Sequence, residues 1–271
     1  MKRHMSIISF LWGRKRWQFV FQRLYKLALI GLNYNRASDY QGNGERWLME
    51  RVVRWSNNRP VVVMDVGANV GNYSAALLEL FRERPLQLFC FEPSASTFAE
   101  LQKKLAGRPQ ARLFNTGMSS QPGTTKLFSK AGASGLSSVY QRDLSHRETA
   151  LDVEETIELD SLDHFCTTHG IQEIDVLKMD VEGHEVAVLQ GANRLLTEKR
   201  IKLIQFEFGG CNIDSRTYFR DFFHLLNPNF RLFRLLADGL QPIDRYNESL
   251  EVFQSANYVA LRRDLALRDF E

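Results

Sequence analysis

Cysteine is scarce in this sequence, and the little there is excludes two chemistries. Cys90, Cys166 and Cys211 are widely spaced and include no Cys-x-x-Cys pair, so neither a disulfide framework nor a cysteine zinc site is encoded. Three small core residues in a reducing cytosol fit the pattern. The histidines at positions 4, 146, 164, 169 and 224 show no close metal-ligand spacing. No apolar run approaches the ~20 residues of a membrane-spanning helix, because Gln22, Arg23 and Lys26 interrupt the nearest stretch. Met5–Trp12 is too short for a signal sequence and runs into Gly-Arg-Lys-Arg instead of a small-residue cleavage pattern. Repeats and low-complexity tracts are also absent.

Acidic residues are scarce at one end only. Residues 1–60 hold twelve Lys/Arg against three Asp/Glu, a balance of +9, while the remainder carries −6 to give the net +3. All four tryptophans, Trp12, Trp17, Trp47 and Trp55, fall in the same segment. Between Lys15 and Leu32, the apolar residues Trp17, Val20, Phe21, Leu24, Leu27 and Ala28 follow helical spacing, with Arg16, Arg23 and Lys26 among them. A basic amphipathic helix of this kind packs on the body of the protein or on a second subunit, lies on an anionic membrane surface or, least favoured, meets nucleic acid. The expected home is therefore the cytoplasm, with peripheral contact at the inner membrane surface as the second option. Composition divides the chain into a basic, Trp-rich helical extension over 1–55 and one α/β domain over 56–271, a length that can bury a full core.

The most informative stretch begins at residue 61. An apolar run ends in Asp65 and passes directly into Gly67, Asn69 and Gly71, which open the helical pattern of Asn72–Phe81. A buried parallel strand turning into a helix around a ligand reads this way, since glycine admits unusual backbone angles and close approach. A carboxylate just before the glycines is an awkward neighbour for a pyrophosphate. It suits a ligand with positive charge, and S-adenosylmethionine carries an ammonium and a sulfonium. The next apolar run, Leu86–Phe91, ends at Glu92, placed to accept both ribose hydroxyls of an adenosine. A nicotinamide dinucleotide needs that acid as well, but Asp65, and Asn69 in place of a second glycine, disfavour it.

The remaining chain alternates as a doubly wound sheet does. Ala111–Asn115 reads as a third strand, followed by Gly117-Met118-Ser119 where an adenine would lie. Thr124–Ser129 and Val153–Leu159 have the alternation of paired strands, and the Gly- and Ser-rich Gly132–Asp143 between them reads as a mobile loop over the site. Asp175–Met179 and Ile201–Phe206 are the fourth and fifth strands, the first followed by a helix through Leu196. Phe230–Leu236 and Tyr258–Arg262 are the last two, after a helix over Tyr218–Leu226.

Four blocks in this order, Asp65-Val-Gly-Ala-Asn-Val-Gly71, Phe91-Glu-Pro-Ser94, Ile157-Glu-Leu-Asp-Ser-Leu162 and Ile174-Asp-Val-Leu-Lys-Met-Asp-Val-Glu-Gly-His-Glu185, resemble the FkbM-type S-adenosylmethionine-dependent methyltransferases. The resemblance spans about residues 60–210. It implies a class I methyltransferase, Rossmann-like sheet, here with a β-hairpin insertion and an N-terminal helical extension, and methyl transfer to a hydroxyl of a sugar, glycan or natural product. Asp65, Gly67, Asn69, Gly71, Glu92 and Met118 are the expected cofactor residues.

Strand carboxyl ends face the crevice in such a sheet, which places Asp180 beside the transferable methyl as general base or acceptor-orienting group. Glu182 and His184 are the next candidates. His184, on the first turn of a helix, has a capping role as its plain alternative. Lys178 is read as a packing residue, with pairing to Asp180 or a neighbouring acid as the alternative. Asp180 and Glu207, at adjacent strand ends, form an alternative Mg²⁺ site that would lower the pKa of the acceptor hydroxyl. Two other functions are weighed. A nitrogen-directed or nucleic-acid methyltransferase would carry an Asn/Asp-Pro-Pro-aromatic turn where this chain reads Met-Asp-Val-Glu-Gly. A non-catalytic binding module is disfavoured by the intact turn. The sequence leaves the acceptor and any homo-oligomer undetermined.

Overall fold

The computed structural model describes residues 11–35, 42–130 and 133–270, without the side chains of 133, 134 and 269. His4, most of the Met5–Trp12 run, and the Gly132 end of the expected loop lie outside the described residues.

Two helices, α1 (Gln18–Gly31) and α2 (Glu45–Ser56), precede the sheet. The chain then alternates β1 (Val61–Val66), α3 (Asn72–Leu80), β2 (Leu86–Phe91), α4 (Ala95–Lys104) and β3 (Ala111–Phe114). Four strands follow, β4 (Gly117–Met118), β5 (Gly123–Lys130), β6 (Ala133–Ser138) and β7 (Val153–Asp160). Alternation resumes with α5 (Leu162–Thr168), β8 (Ile174–Met179), α6 (Glu185–Gln190), α7 (Asn193–Thr197) and β9 (Ile201–Phe208), and ends with α8 (Cys211–Asp214), α9 (Phe219–Leu226), β10 (Phe230–Leu236), β11 (Gly239–Ile243) and β12 (Ala256–Arg262).

The eight-stranded sheet has the order β11-β10-β12-β9-β8-β1-β2-β3. Strands β3, β2, β1, β8 and β9 run parallel, and β12 is antiparallel to both its neighbours. This is a class I methyltransferase sheet with the hairpin strand β11 added at one edge. Its central strands are apolar on both faces because both faces are covered. One core packs β1, β8 and β9 under α5, α6, α7 and α9 through Met64, Phe165, Leu189, Phe206 and Phe222. The other packs the reverse face under α2, α3 and α4 through Met49, Val63, Leu77 and Leu101.

Three differences from the sequence expectation matter for the site. The helix expected through Leu196 is two short helices, because the chain at Gly191 passes against Ser119: a Cβ there would lie 2.0 Å from the Ser119 carbonyl oxygen. Residues 133–138 of the expected loop form β6, which pairs with β5 in a second sheet of order β4-β7-β5-β6. Packing also divides the N-terminal segment differently from its composition. Helix α2 buries Leu48, Met49 and Val52, whereas α1 buries no residue.

Candidate active site

Strand order reverses between β1 and β8, and a crevice opens there beyond the carboxyl ends of the strands. The turn after β1 is shaped by a close contact that only glycine permits. Gly67 has φ +80°, and a Cβ on it would lie 1.9 Å from the backbone oxygen of Asp180. Gly71, at φ +83°, faces elsewhere: its Cβ would meet the Leu101 side chain at 2.6 Å. It therefore seats α3 against α4 rather than lining the crevice.

Two cavities meet at this point. One is walled by Gly67 and Asn69 on the turn, Glu92 at the end of β2, and Met118, Leu127 and Ile157 of the second sheet. The other is polar, with Glu45, Asn72, Arg142, Lys178 and Glu207 in its wall. Asp180 and Glu182 line both. Of the six expected cofactor residues, Gly67, Asn69, Glu92 and Met118 thus share the first cavity, and Asp65 and Gly71 do not.

Asp65 lies behind the turn, fully buried. It accepts a hydrogen bond from Ser74 Oγ at 2.7 Å, and Lys178 Nζ sits 3.2 Å from its other oxygen. The positive charge that its position called for is supplied by the protein, because the parallel register sets Asp65 beside Lys178 on β8. Burial works against the charge of Lys178, but Asp65, Asp180 and Glu45 outweigh it and hold its pKa above the ordinary lysine value. Lys178 Nζ also stands 3.6 Å from Asp180 Oδ2. A buried ammonium thus links the back of the turn to the front of the site.

Glu92 is 7% exposed, and its two oxygens accept from the backbone N–H of Asn69 at 2.9 Å and of Ser94 at 3.0 Å. Burial pushes its pKa up to about 7, with the two N–H groups pulling the other way. Each oxygen retains acceptor capacity toward the cavity. A carboxylate so held, glycines where a ligand must approach backbone, and an apolar slot lined by Met118, Leu127 and Ile157 of the second sheet together fit the ribose and adenine of S-adenosylmethionine.

At the junction, the ligand atoms of Asp180, Glu182 and Glu207 lie within 4.8 Å of one another. Burial raises Glu207 well above the usual carboxylate range, the charges of Asp180 and Glu182 raise it further, and its carboxyl is hydrogen-bonded to Asp180. Glu207 is thus biased toward holding a proton where it meets Asp180. Glu182, raised to about 7 by burial and then by Asp180, is held by an ion pair with the buried Arg142. His184 lies in the wall of the cofactor cavity, with Nε2 2.9 Å from Ser119 Oγ and Nδ1 3.1 Å from Tyr140 Oη. Burial lowers its pKa to about 4. A neutral ring with both nitrogens occupied holds the wall together, and it makes no capping hydrogen bond to the helix it precedes.

Several participants went unmarked in the sequence. Arg142 and Tyr140 sit in the Gly- and Ser-rich insertion, and Ser138 Oγ donates to the Glu182 backbone oxygen at 2.8 Å, so the insertion is tied to the site at three residues. Glu185 accepts from the N–H groups of Val181 at 3.0 Å and Gly183 at 3.3 Å and sets the loop that carries Glu182. Glu45 reaches the polar cavity from α2, where it accepts from Gln205 Nε2 at 2.9 Å. The one available signal was the clustering of Ser, Tyr and Arg over 137–142, a richer set of donors than a surface loop requires.

Comparison with known proteins accords with this geometry. Residues 65–232 match the methyltransferase FkbM domain. The chain belongs to the FkbM methyltransferase family. Among its relatives, the 2-O-methyltransferase NoeI of Sinorhizobium fredii is 30% identical over 149 residues, covering 51% of this chain and 60% of that protein. The hexuronic acid methyltransferase AglP of Haloferax volcanii is 26% identical over 150 residues, covering 55% and 56%. The chain thus spans 60% or less of the length of either relative. A crystal structure of methyltransferase FkbM from Methylobacillus flagellatus KT aligns over 74% of this chain and 43% of its own, at 14% identity and a TM-score of 0.43.

Proposed function

We propose that this FkbM-family protein is an O-methyltransferase that uses S-adenosylmethionine to methylate a hydroxyl of a sugar, glycan or natural product. The observation that carries the reading is that Asp180 lines both the apolar cavity ending at Glu92 and the polar cavity rich in carboxylates. The names of NoeI and AglP, a 2-O-methyltransferase and a hexuronic acid methyltransferase, support a carbohydrate acceptor. Acidic walls suit hydroxyl groups, which donate to carboxylates, and they repel the phosphates of a nucleic acid.

When bound, S-adenosylmethionine supplies an electrophilic methyl group and leaves as a neutral thioether. The chain's own residues do the rest. Glu92 accepts from the ribose hydroxyls, and Gly67 and Asn69 allow close approach at the turn. Glu45, Glu182 and Arg142 orient the acceptor in the polar cavity, where alignment is worth up to ~7–11 kcal/mol. Asp180 accepts the hydroxyl proton as the O–C bond forms and the C–S bond breaks, while Glu207 and Lys178 stabilise its position. A base in this role contributes ~10²–10⁴-fold. The same three carboxylates fit a Mg²⁺ ion, a hard cation that takes a few carboxylates and water. Depletion with EDTA followed by Mg²⁺ titration separates base from metal ligand. Free, buried cysteines among the described residues support a cytoplasmic setting, and residues 15–32 extend the reading to peripheral contact with an anionic membrane.

Calorimetry tests the cofactor directly. S-adenosylmethionine and S-adenosylhomocysteine are expected to bind and NAD not to, and Glu92→Ala should weaken the first two by ~1.5–3 kcal/mol, the value of a hydrogen bond to a charged group. Preferential binding of NAD would overturn the reading.

A further inference from the structure

Helix α1 is an apolar surface that the described residues leave uncovered. Phe19, Val20, Phe21, Leu24, Tyr25, Leu27 and Ile30 are exposed, from 37% at Phe21 to 65% at Leu27, and only Leu29 packs on the core. Val20, Phe21, Leu24, Tyr25, Leu27 and Ala28 share one face, and Gln18, Gln22, Arg23 and Lys26 lie on the opposite one together with Phe19, Leu29 and Ile30. The sequence has no acidic residue before Asp39, whereas Arg14, Lys15, Arg16, Arg23 and Lys26 all lie on or beside the helix. No helix among the described residues is long and apolar enough to cross a membrane. An exposed apolar face accompanied by basic residues, in a stretch of sequence without acids, is the composition that an anionic bilayer takes up.

The chain that leaves α1 leads directly into the acceptor cavity. Asn33 is buried, its Nδ2 donating to the Leu235 backbone oxygen at 3.0 Å, and Tyr34 is 2% exposed. Asn35 donates its backbone N–H to the Ser255 oxygen at 2.7 Å, and Asn35 and Ser255 both line the polar cavity. Three residues separate the end of the helix from Asn35 in the wall of the site.

We infer that α1 seats on an anionic bilayer and holds the acceptor cavity against it, so that the acceptor is an amphiphile of that bilayer whose hydroxyl head group enters beside Asn35. This rests on the methyltransferase reading, and the transfer is the one given above: the head-group oxygen gains the methyl, and Asp180 takes its proton.

The test uses the full chain. Co-sedimentation with phosphatidylcholine vesicles is expected only when phosphatidylglycerol is included, and to fall with added salt. Arg23→Glu with Lys26→Glu should lower the partition coefficient at least ~10-fold, and Leu24→Glu with Leu27→Glu should abolish binding. S-adenosylhomocysteine affinity stays unchanged in all of them. Amide exchange on vesicles should slow in 18–35 and around Ser255, and label from S-adenosylmethionine should enter a total lipid extract of the source cells. Overturning results are protection confined to 18–31, label entering only the water-soluble fraction, or a dimer lost in the Leu24/Leu27 variant without vesicle binding. Loss of S-adenosylhomocysteine binding in the wild type would instead strike the methyltransferase reading itself.

Discussion

Asp180 is the residue on which the proposed chemistry turns, because it lines both cavities without the arginine partner that holds Glu182, and Glu207 is hydrogen-bonded to it. Asp180→Asn preserves its shape and removes its capacity to accept a proton or hold a metal. Turnover on a true acceptor is expected to fall by at least ~10² with cofactor affinity within a few-fold, since the group acts on the acceptor in the transition state. Near-normal turnover would move the assignment to Glu207. The pH dependence of cofactor binding belongs to Glu92. Its pKa is raised from 4.5 to about 7, so the unliganded fold gains stability from its proton below 4.5 and loses that gain as pH rises through about 7. Glu182 and Glu185, also raised from 4.5 to about 7, act in the same direction. Ribose hydroxyls need the carboxylate, so S-adenosylhomocysteine affinity should climb as pH rises through about 7, and Glu92→Gln should flatten that slope. A wild-type affinity that instead declined over this interval would exclude Glu92 as the ribose acceptor. The sequence made Glu92 and Asp180 legible because each follows an apolar run at the end of a central strand. It could not reveal that the partner of Asp65 is Lys178, since that pairing exists only through the register of two strands far apart in the chain.

Elements were legible where burial imposes a pattern and illegible where close approach does. The central strands are apolar on both faces, and β5 and β7 alternate, so each follows from its residues. Strand β6 has the sequence Ala-Ser-Gly-Leu-Ser-Ser, without β-branched or aromatic residues. Its strand state comes from pairing with β5 and from Ser138 and Tyr140 binding the loop after β8. The short β4 and the edge strand β11 are likewise set by their neighbours. Gly67 makes the point quantitatively. Gly67→Ala adds a methyl where there is no room beside the Asp180 oxygen and imposes a left-handed conformation costing ~1–2 kcal/mol by itself, so a larger loss of stability and of S-adenosylhomocysteine binding is expected. Gly123→Ala, with nothing within 4 Å and no positive φ, is the control and should stay within ~0.5 kcal/mol. Equal melting temperatures for the two variants would show that the turn and the β8 loop are not locked together.

At the scale of the whole molecule, composition proposes an extension ending at residue 55, while packing places the mechanical division near residue 32. Helix α2 belongs to the core on the α3 side, and its first residue, Glu45, reaches the acceptor cavity. The connection from α1 is anchored as well: Asn33 binds β10, and Tyr34 packs in the opposite core and accepts from Arg234 Nη1 at 3.0 Å. Sequence periodicity cannot see this division, because a helix with an apolar face reads the same whether that face meets a core or a lipid surface. Two truncations separate the possibilities. A chain beginning at Leu32 loses α1 and, among the described residues, none that is buried, so its melting temperature and S-adenosylhomocysteine affinity should match the full chain while vesicle binding disappears. A chain beginning at Gln41 also loses Tyr34, a buried aromatic whose removal costs ~3–5 kcal/mol, and leaves the Arg234 guanidinium without that hydroxyl. It should melt lower by several degrees even where the shorter deletion has no effect. If instead the two truncations were equally destabilised, α1 would be part of the folded body, and the apolar face would have a partner within the protein after all.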